Sequence, residues 1–149
     1  MFAEPDSKRM RGGPLLFGPE SDKLGLAAFR ERSKMGEDCI FCKIAAGRIP
    51  STSVYSDDEF YAFHDIHPLA PTHVLLMPRK HIAKLTDAKP EDGALLGRLL
   101  LKANEIAVQE GLAENGFRLA INCGLWGGQV VLHLHVHILG GRQLADSLG

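Results

Sequence analysis

Residues 130–141 read VVLHLHVHILGG and hold three of the chain's seven histidines, His133, His135 and His137. Only Leu134 and Val136 stand between them. Val130, Leu132, Leu134, Val136 and Ile138 share the other parity, so an extended chain puts aliphatic groups on one face and imidazoles on the other. At a strand rise of ~3.3 Å per residue, neighbouring histidines stand about 6.5 Å apart. A helix would scatter the same rings around its circumference. A row of unpaired imidazoles offers folding nothing, and two chemistries use one. A His-x-His strand is a zinc donor. Neutral imidazoles near pH 7 also move protons and handle phosphate. This stretch alone leaves both open.

The residues around it add to both. In CGLWGGQ, Gly127-Gly128 lets the backbone take positive φ and approach a ligand, and successive N–H groups there can cradle an anion. Gln129 adds a side-chain donor; a plain Gly-Gly turn is the alternative. Gly140-Gly141 reads as a simple bulge or turn. Asp65 ends an apolar run, where a carboxylate either accepts from a ribose diol or caps a turn. His73 opens the next run, and His81 follows Arg79-Lys80. Cys39-x-x-Cys42 reads as half a metal site in a reducing cytosol, and an odd total of three cysteines argues against a disulfide framework.

These groups need a scaffold. A chain of 149 residues, 45% hydrophobic and 23% charged, suits one domain with one core. A net charge of −1 gives no general polyanion-binding field, so nucleic acid is not an expected partner. No apolar run reaches the ~18 residues of a membrane span, and no h-region marks a secretory signal, so a cytoplasmic location is expected. Residues 1–36, rich in Gly, Pro and charge, read as a flexible extension. CIFCKIAAG reads as a short helix ended by Gly47. SVYS, EFYAFHDI and HVLLMP read as strands, with Asp57-Asp58 turning the chain between the first two. Residues 89–112 form one long helix, with Pro90 in its first turn and an apolar stripe through Leu95, Leu96, Leu99, Leu100, Ala103, Ile106 and Ala107. Gly93 and Gly97 weaken it, or permit close packing. FRLAIN is a fourth strand and the histidine run a fifth. Short turns and one inserted helix imply an antiparallel α+β domain.

HLHVHIL fits the signature His-φ-His-φ-His-φ-φ, with φ apolar, and FHDI, PTHVLLMPRKHI, INCGLWGGQ and GGRQ flank it in order. On these motifs the chain resembles the histidine-triad superfamily, in its histidine-triad nucleotide-binding (HINT) branch, from about Asp38 to Gln143. The resemblance implies a HIT-like fold over residues 37–149, with about five antiparallel strands, one long helix and one short one. It also implies hydrolysis of purine nucleoside phosphoramidates or nucleotidyl compounds, with no metal in the chemistry. His135 would be the nucleophile on the α-phosphorus. His137 and Gln129 would hold phosphate oxygens beside Gly127-Gly128, and His73 would assist proton movement. Asp65 would accept from the ribose. Ile40, Phe41, Ile44, Phe63, His64 and Ile66 would form the base slot, and Asn122, Gly128 and Val130 would complete the nucleotide site. Some relatives hold a structural zinc, here implied at Cys39, Cys42, His81 and His133. Relatives also pair through the long helix and an adjacent strand into a dimer with a continuous sheet, which would cover surplus leucines such as Leu101. Two features depart from the pattern. Val130 stands where Ser is usual, and the tail QLADSLG lacks a Trp-Pro-Pro ending.

Overall fold

Cys39 caps helix α1 (Ile40–Ala45): its backbone is extended, and its Sγ accepts the Cys42 N–H at 3.5 Å. In this computed structural model the described residues are 36–148, so the expected extension over 1–36 lies outside them except for Gly36. Gly47, at φ +75°, ends the helical turn, and the Arg48 N–H returns to the Lys43 carbonyl.

Strands β1 (Ser53–Ser56) and β2 (Phe60–His64) form a hairpin. Its turn is built by Asp57, whose Oδ1 accepts the Glu59 and Phe60 N–H groups while Oδ2 takes the Tyr55 hydroxyl. Strand β3 (Thr72–Pro78) pairs with β2 over five residues. After two short 3₁₀ turns, helix α2 (Gly93–Gln109) crosses back to β4 (Arg118–Ala120), and β5 (Val136–Gly140) closes the sheet. The order is β1-β2-β3-β5-β4, antiparallel throughout.

The period-two pattern sorts the two faces. Phe60, Ala62, Val74, Leu76, Val136 and Ile138 point one way and bury against Leu99, Ala103, Ile106 and Ala107 of α2. Truncating such a side chain to Ala typically costs about 2–5 kcal/mol. Phe63, Leu75 and Met77 point the other way and pack with Phe41 and Ile44 of α1. Gly93 and Gly97 face open space, so neither serves close packing. Among the described residues, no helix is long and apolar enough to cross a membrane.

The fifth strand is shorter than the alternation predicts. It begins at Val136, and residues 130–135 are irregular. Leu134, Val136 and Ile138 keep their place in the core, but Leu132 is half exposed and Val130 is 92% exposed. The glycine-rich loop before them turns the chain out of the sheet, and a two-residue period has no force outside a ladder. The register there sets Leu75 opposite His137 and His73 opposite Leu139. His73 and His137 therefore lie on the α1 side of the sheet.

Candidate active site and metal cluster

His135 sits just ahead of β5, 6% exposed. Its Nδ1 lies 2.6 Å from the His133 carbonyl, which can only accept, so Nδ1 carries the proton and Nε2 keeps its lone pair. The Phe41 ring meets the imidazole edge-on at 5.0 Å between centroids and stacks the same way on Phe63. Burial lowers the His135 pKa, opposed by the His133 carbonyl and Asp65. The ring is thus neutral at pH 7, with one fixed tautomer and a free nitrogen.

A second chain of bonds fixes its neighbours. The Leu69 N–H donates to His73 Nδ1 at 3.1 Å. His73 Nε2 must therefore hold the proton, and it donates to His137 Nδ1 at 2.9 Å, with Asp65 Oδ2 at 3.5 Å as a second acceptor. His137 in turn keeps its proton on Nε2, which is buried with no partner. Burial lowers His73 and brings His137 to about 4, so both are neutral donors and acceptors near pH 7. A buried N–H without a partner is a costly group unless a ligand satisfies it.

Asp65, His73 and His137 also stand close enough to hold a cation. His73 does not suit that use. Nδ1 already accepts a backbone N–H, so freeing Nε2 for a metal would set two donors against each other.

Cys39, Cys42, His81 and His133 form a different cluster, with their ligand atoms within 4.8 Å of one another. His133 Nδ1 lies 3.5 Å from Cys39 Sγ, 3.4 Å from Cys42 Sγ and 3.2 Å from His81 Nδ1. Cys42 Sγ lies 3.3 Å from His81 Nδ1. A tetrahedron with metal–S ≈ 2.3 Å and metal–N ≈ 2.0–2.1 Å has S···N edges of about 3.5 Å and N···N edges of about 3.3 Å. The side chains match those edges. The His133 tautomer also suits a ligand: Nε2 donates to the Pro78 carbonyl at 2.7 Å, leaving the Nδ1 lone pair free. Burial takes His133 to about 4 and lowers His81 too. Burial first, then Cys39, raises Cys42 to about 11, with Arg48 opposing the shift. The cluster can hold a metal ion.

The glycine-rich loop differs from the expected anion cradle. The Gly128 and Gln129 N–H groups go to the Leu125 and Gly124 carbonyls, closing the loop on itself. Gly128 has φ +77°, and a Cβ on Gly127 would lie 2.5 Å from the Cys123 carbonyl oxygen, so both positions require glycine. Gln129 is buried, and its amide protons go to the Ala83 and Val131 carbonyls at 2.7 and 3.0 Å while Oε1 takes the Gly124 N–H. It braces the loop beside the triad rather than presenting a free donor. Asn122 Nδ2 reaches the Gly128 carbonyl at 3.4 Å.

The expected base slot divides by depth. Phe41, Ile44 and Phe63 belong to the core beneath α1, His64 is half-buried, Ile40 is half exposed and Ile66 is 84% exposed. Asp65 takes the turn-cap reading through Oδ1, which accepts the His67 N–H, while Oδ2 faces His73. Two contributors had no signal in the sequence. Leu69 and Pro78 act through backbone groups, which any residue type carries, and only Pro78 among these could not have served as a donor.

The HIT domain family matches residues 46–144. Over 114 residues the chain is 48% identical to the purine nucleoside phosphoramidase of Escherichia coli (strain K12), covering 76% of this chain and 96% of that protein. The crystal structure of a HIT family hydrolase from Legionella pneumophila Philadelphia 1 superposes with TM-score 0.74 at 49% identity, covering 75% of this chain and all of that one. A zinc-bound histidine triad family protein from Mycobacterium smegmatis superposes with TM-score 0.61 at 31% identity, over 76% of this chain and 81% of that one. The five-stranded antiparallel sheet with its long helix, the ordered motifs and these matches agree: the chain belongs to the histidine-triad (HIT) family.

Proposed function

We propose that the protein is a hydrolase of the HINT branch that cleaves purine nucleoside phosphoramidates or related nucleotidyl substrates at the α-phosphorus. The observation that carries this reading is the tautomer pattern. His135 keeps an unprotonated Nε2, while the Leu69–His73–His137 chain delivers an unpartnered N–H to the same site.

His135 Nε2 attacks phosphorus, and the bond to the leaving amine breaks, giving a nucleotidyl-histidine. The His137 N–H holds a phosphate oxygen as charge spreads over it. The departing nitrogen takes up one proton as the bond breaks, with His73 assisting proton movement beside it, and water then attacks the phosphoryl-imidazolium to release the nucleotide and one proton. Asp65 receives the ribose hydroxyls. Ile40, His64 and Ile66 border the base side, with Phe41, Ile44 and Phe63 as its buried floor, and Asn122, Gly128 and Val130 border the phosphate side, where Gln129 braces the loop.

The metal cluster fits zinc, held by Cys39, Cys42, His81 and His133; the Mycobacterium smegmatis neighbour is itself described as zinc-bound. Four protein ligands make a closed structural site, so zinc would pin α1 to the triad segment and take no part in the reaction. The chain pairs into a homodimer through α2 and edge strand β4. It acts in the reducing cytoplasm, where Cys39 and Cys42 stay reduced and available to the metal. Neither nucleic acid nor membrane is a partner.

One feature favours an alternative. Val130 turns methyl groups to solvent where a hydroxyl is usual, as a catalytically weak nucleotide-binding module would tolerate. A dinucleoside polyphosphate hydrolase is the alternative within the same chemistry. Steady-state hydrolysis of an adenosine phosphoramidate, with the guanosine analogue beside it, decides: turnover is expected, and a wild-type protein inert to both but able to bind the nucleoside monophosphates would overturn the assignment.

A further inference from the structure

Gly140, Gly141 and Arg142 follow the last histidine of the triad, and nothing in the site so far uses them. Gly140 pairs with Thr72 at the end of the β3–β5 ladder. A Cβ on Gly140 would lie 2.9 Å from Leu112 side-chain carbons. One on Gly141, which has φ +90°, would lie 2.9 Å from the Pro71 side chain. Gly140 therefore makes room for Leu112, and Gly141 lets the end of β5 close onto the 68–71 loop. At that point Arg142 Nη2 donates to the Leu69 carbonyl at 3.1 Å, while Nη1 donates to the Gln143 carbonyl at 3.0 Å.

Leu69 is the residue whose N–H sets the His73 tautomer. Its side chain is exposed and contributes no packing that would hold it there. We propose that Arg142 is a positioning residue for the reaction: by gripping the Leu69 carbonyl it aims the Leu69 N–H at His73 Nδ1, and so keeps the proton of His137 on the nitrogen that faces the phosphate. The path runs through four contiguous hydrogen-bonded groups, Arg142, Leu69, His73 and His137. Without the grip, Leu69 drifts, His73 Nδ1 loses its donor, and the proton distributes between the two ring nitrogens. His137 then presents Nε2–H for only part of the time. Gly141, closing against Pro71, is what brings the guanidinium within reach.

The inference rests on the reading of His137 as the phosphate donor, and its test separates the two. Arg142→Met keeps the length of the side chain and removes every donor. Its kcat for an adenosine phosphoramidate should fall about fivefold, the effect of one weakened hydrogen bond, while KM stays within about twofold because the nucleotide contacts are untouched. Nitrogen-15 spectra of the imidazoles, which need no substrate, should show a single Nε2–H tautomer for His73 in the wild type and averaging of the two nitrogens in the variant. Arg142→Lys, which retains a donor, should recover part of both signals. An unchanged His73 tautomer in Arg142→Met overturns the proposal whatever the rate does. A shifted tautomer with unchanged kcat would also overturn it, because the grip would then be structural alone. If the wild type turns over no phosphoramidate, the spectra still decide the Arg142–His73 link, and the functional reading is what fails.

Discussion

Replacing Cys42 by Ser should cost the protein its metal and a large part of its thermal stability. The Cys42 thiol stands 3.3 Å from His81 Nδ1 and 3.4 Å from His133 Nδ1, so it shares edges with both imidazoles of the tetrahedron. A hydroxyl there is a poor ligand for a soft site. The two elements it joins are far apart in sequence: α1 at one end, and His133, 91 residues away, at the other. A metal that binds only the folded chain stabilises it by about 4 kcal/mol when free metal stands at a thousandfold its dissociation constant. For a domain of this size that is roughly 10–25 °C in Tm. In the metal-free protein Cys42 titrates at about 11, so its thiol is protonated at neutral pH and metal uptake must release that proton. The assay pairs elemental analysis with differential scanning calorimetry, and Cys123→Ser serves as the control. Cys123 contacts Thr86 at 3.8 Å and lies outside the cluster, so its loss should move stability by less than about 0.5 kcal/mol. Equal metal content and equal Tm in the two variants would refute the metal reading.

Three further outcomes follow from the same geometry. Val130→Ser should leave stability within about 0.5 kcal/mol, since the side chain is 92% exposed, and should raise phosphoramidate turnover if position 130 faces phosphate; a Tm loss with no gain in rate would count against that role. Burial depresses the folded-state pKa of His73, His135 and His137, with His137 at about 4 against an ordinary 6.5. Their neutral forms, and the stability and turnover that depend on them, are present above pH 6.5 and are lost as pH falls toward 4. A kcat/KM profile with its acid limb already descending near pH 6.5 would contradict that burial effect. Leu101, 71% exposed on α2 beside half-exposed Leu100 and Val108, should sit in the proposed dimer contact, so the wild type should sediment as a dimer and Leu101→Glu as a monomer.

The sequence and the structure part company at instructive places. SVYS is a strand over the predicted residues, and Asp57 makes the predicted turn, because both signals are local. Helix α2 begins after Pro90 and buries the residues of the predicted stripe at Leu99, Ala103, Ile106 and Ala107, because a 3.6-residue period is unambiguous over seventeen residues. The histidine run was harder. Its alternation predicted a strand from Val130, but the self-closed loop of residues 124–129 keeps the chain out of the ladder until Val136. The identities of His73, His135 and His137 were legible; their tautomers were not, since each is set by a backbone group at Leu69 or His133. Gln129 read as a free donor, because the sequence could not reveal the Ala83 and Val131 carbonyls that engage it. The Cys39-x-x-Cys42 spacing predicted half of a metal site and the family resemblance implied His81 and His133 as the rest, and the fold brings all four together.

The central claim is that His135 becomes covalently attached to the nucleotide. Rapid alkaline quench of the protein with an adenosine phosphoramidate labelled in the nucleotide, which preserves the acid-labile P–N bond, followed by mass spectrometry of the peptide spanning residues 119–142, tests it most directly. A nucleotidyl adduct on His135 that forms within one turnover, and that is absent in His135→Ala while nucleoside monophosphate still binds within about tenfold, is the predicted result. Turnover at wild-type rate in His135→Ala, or an adduct on another residue, would contradict it.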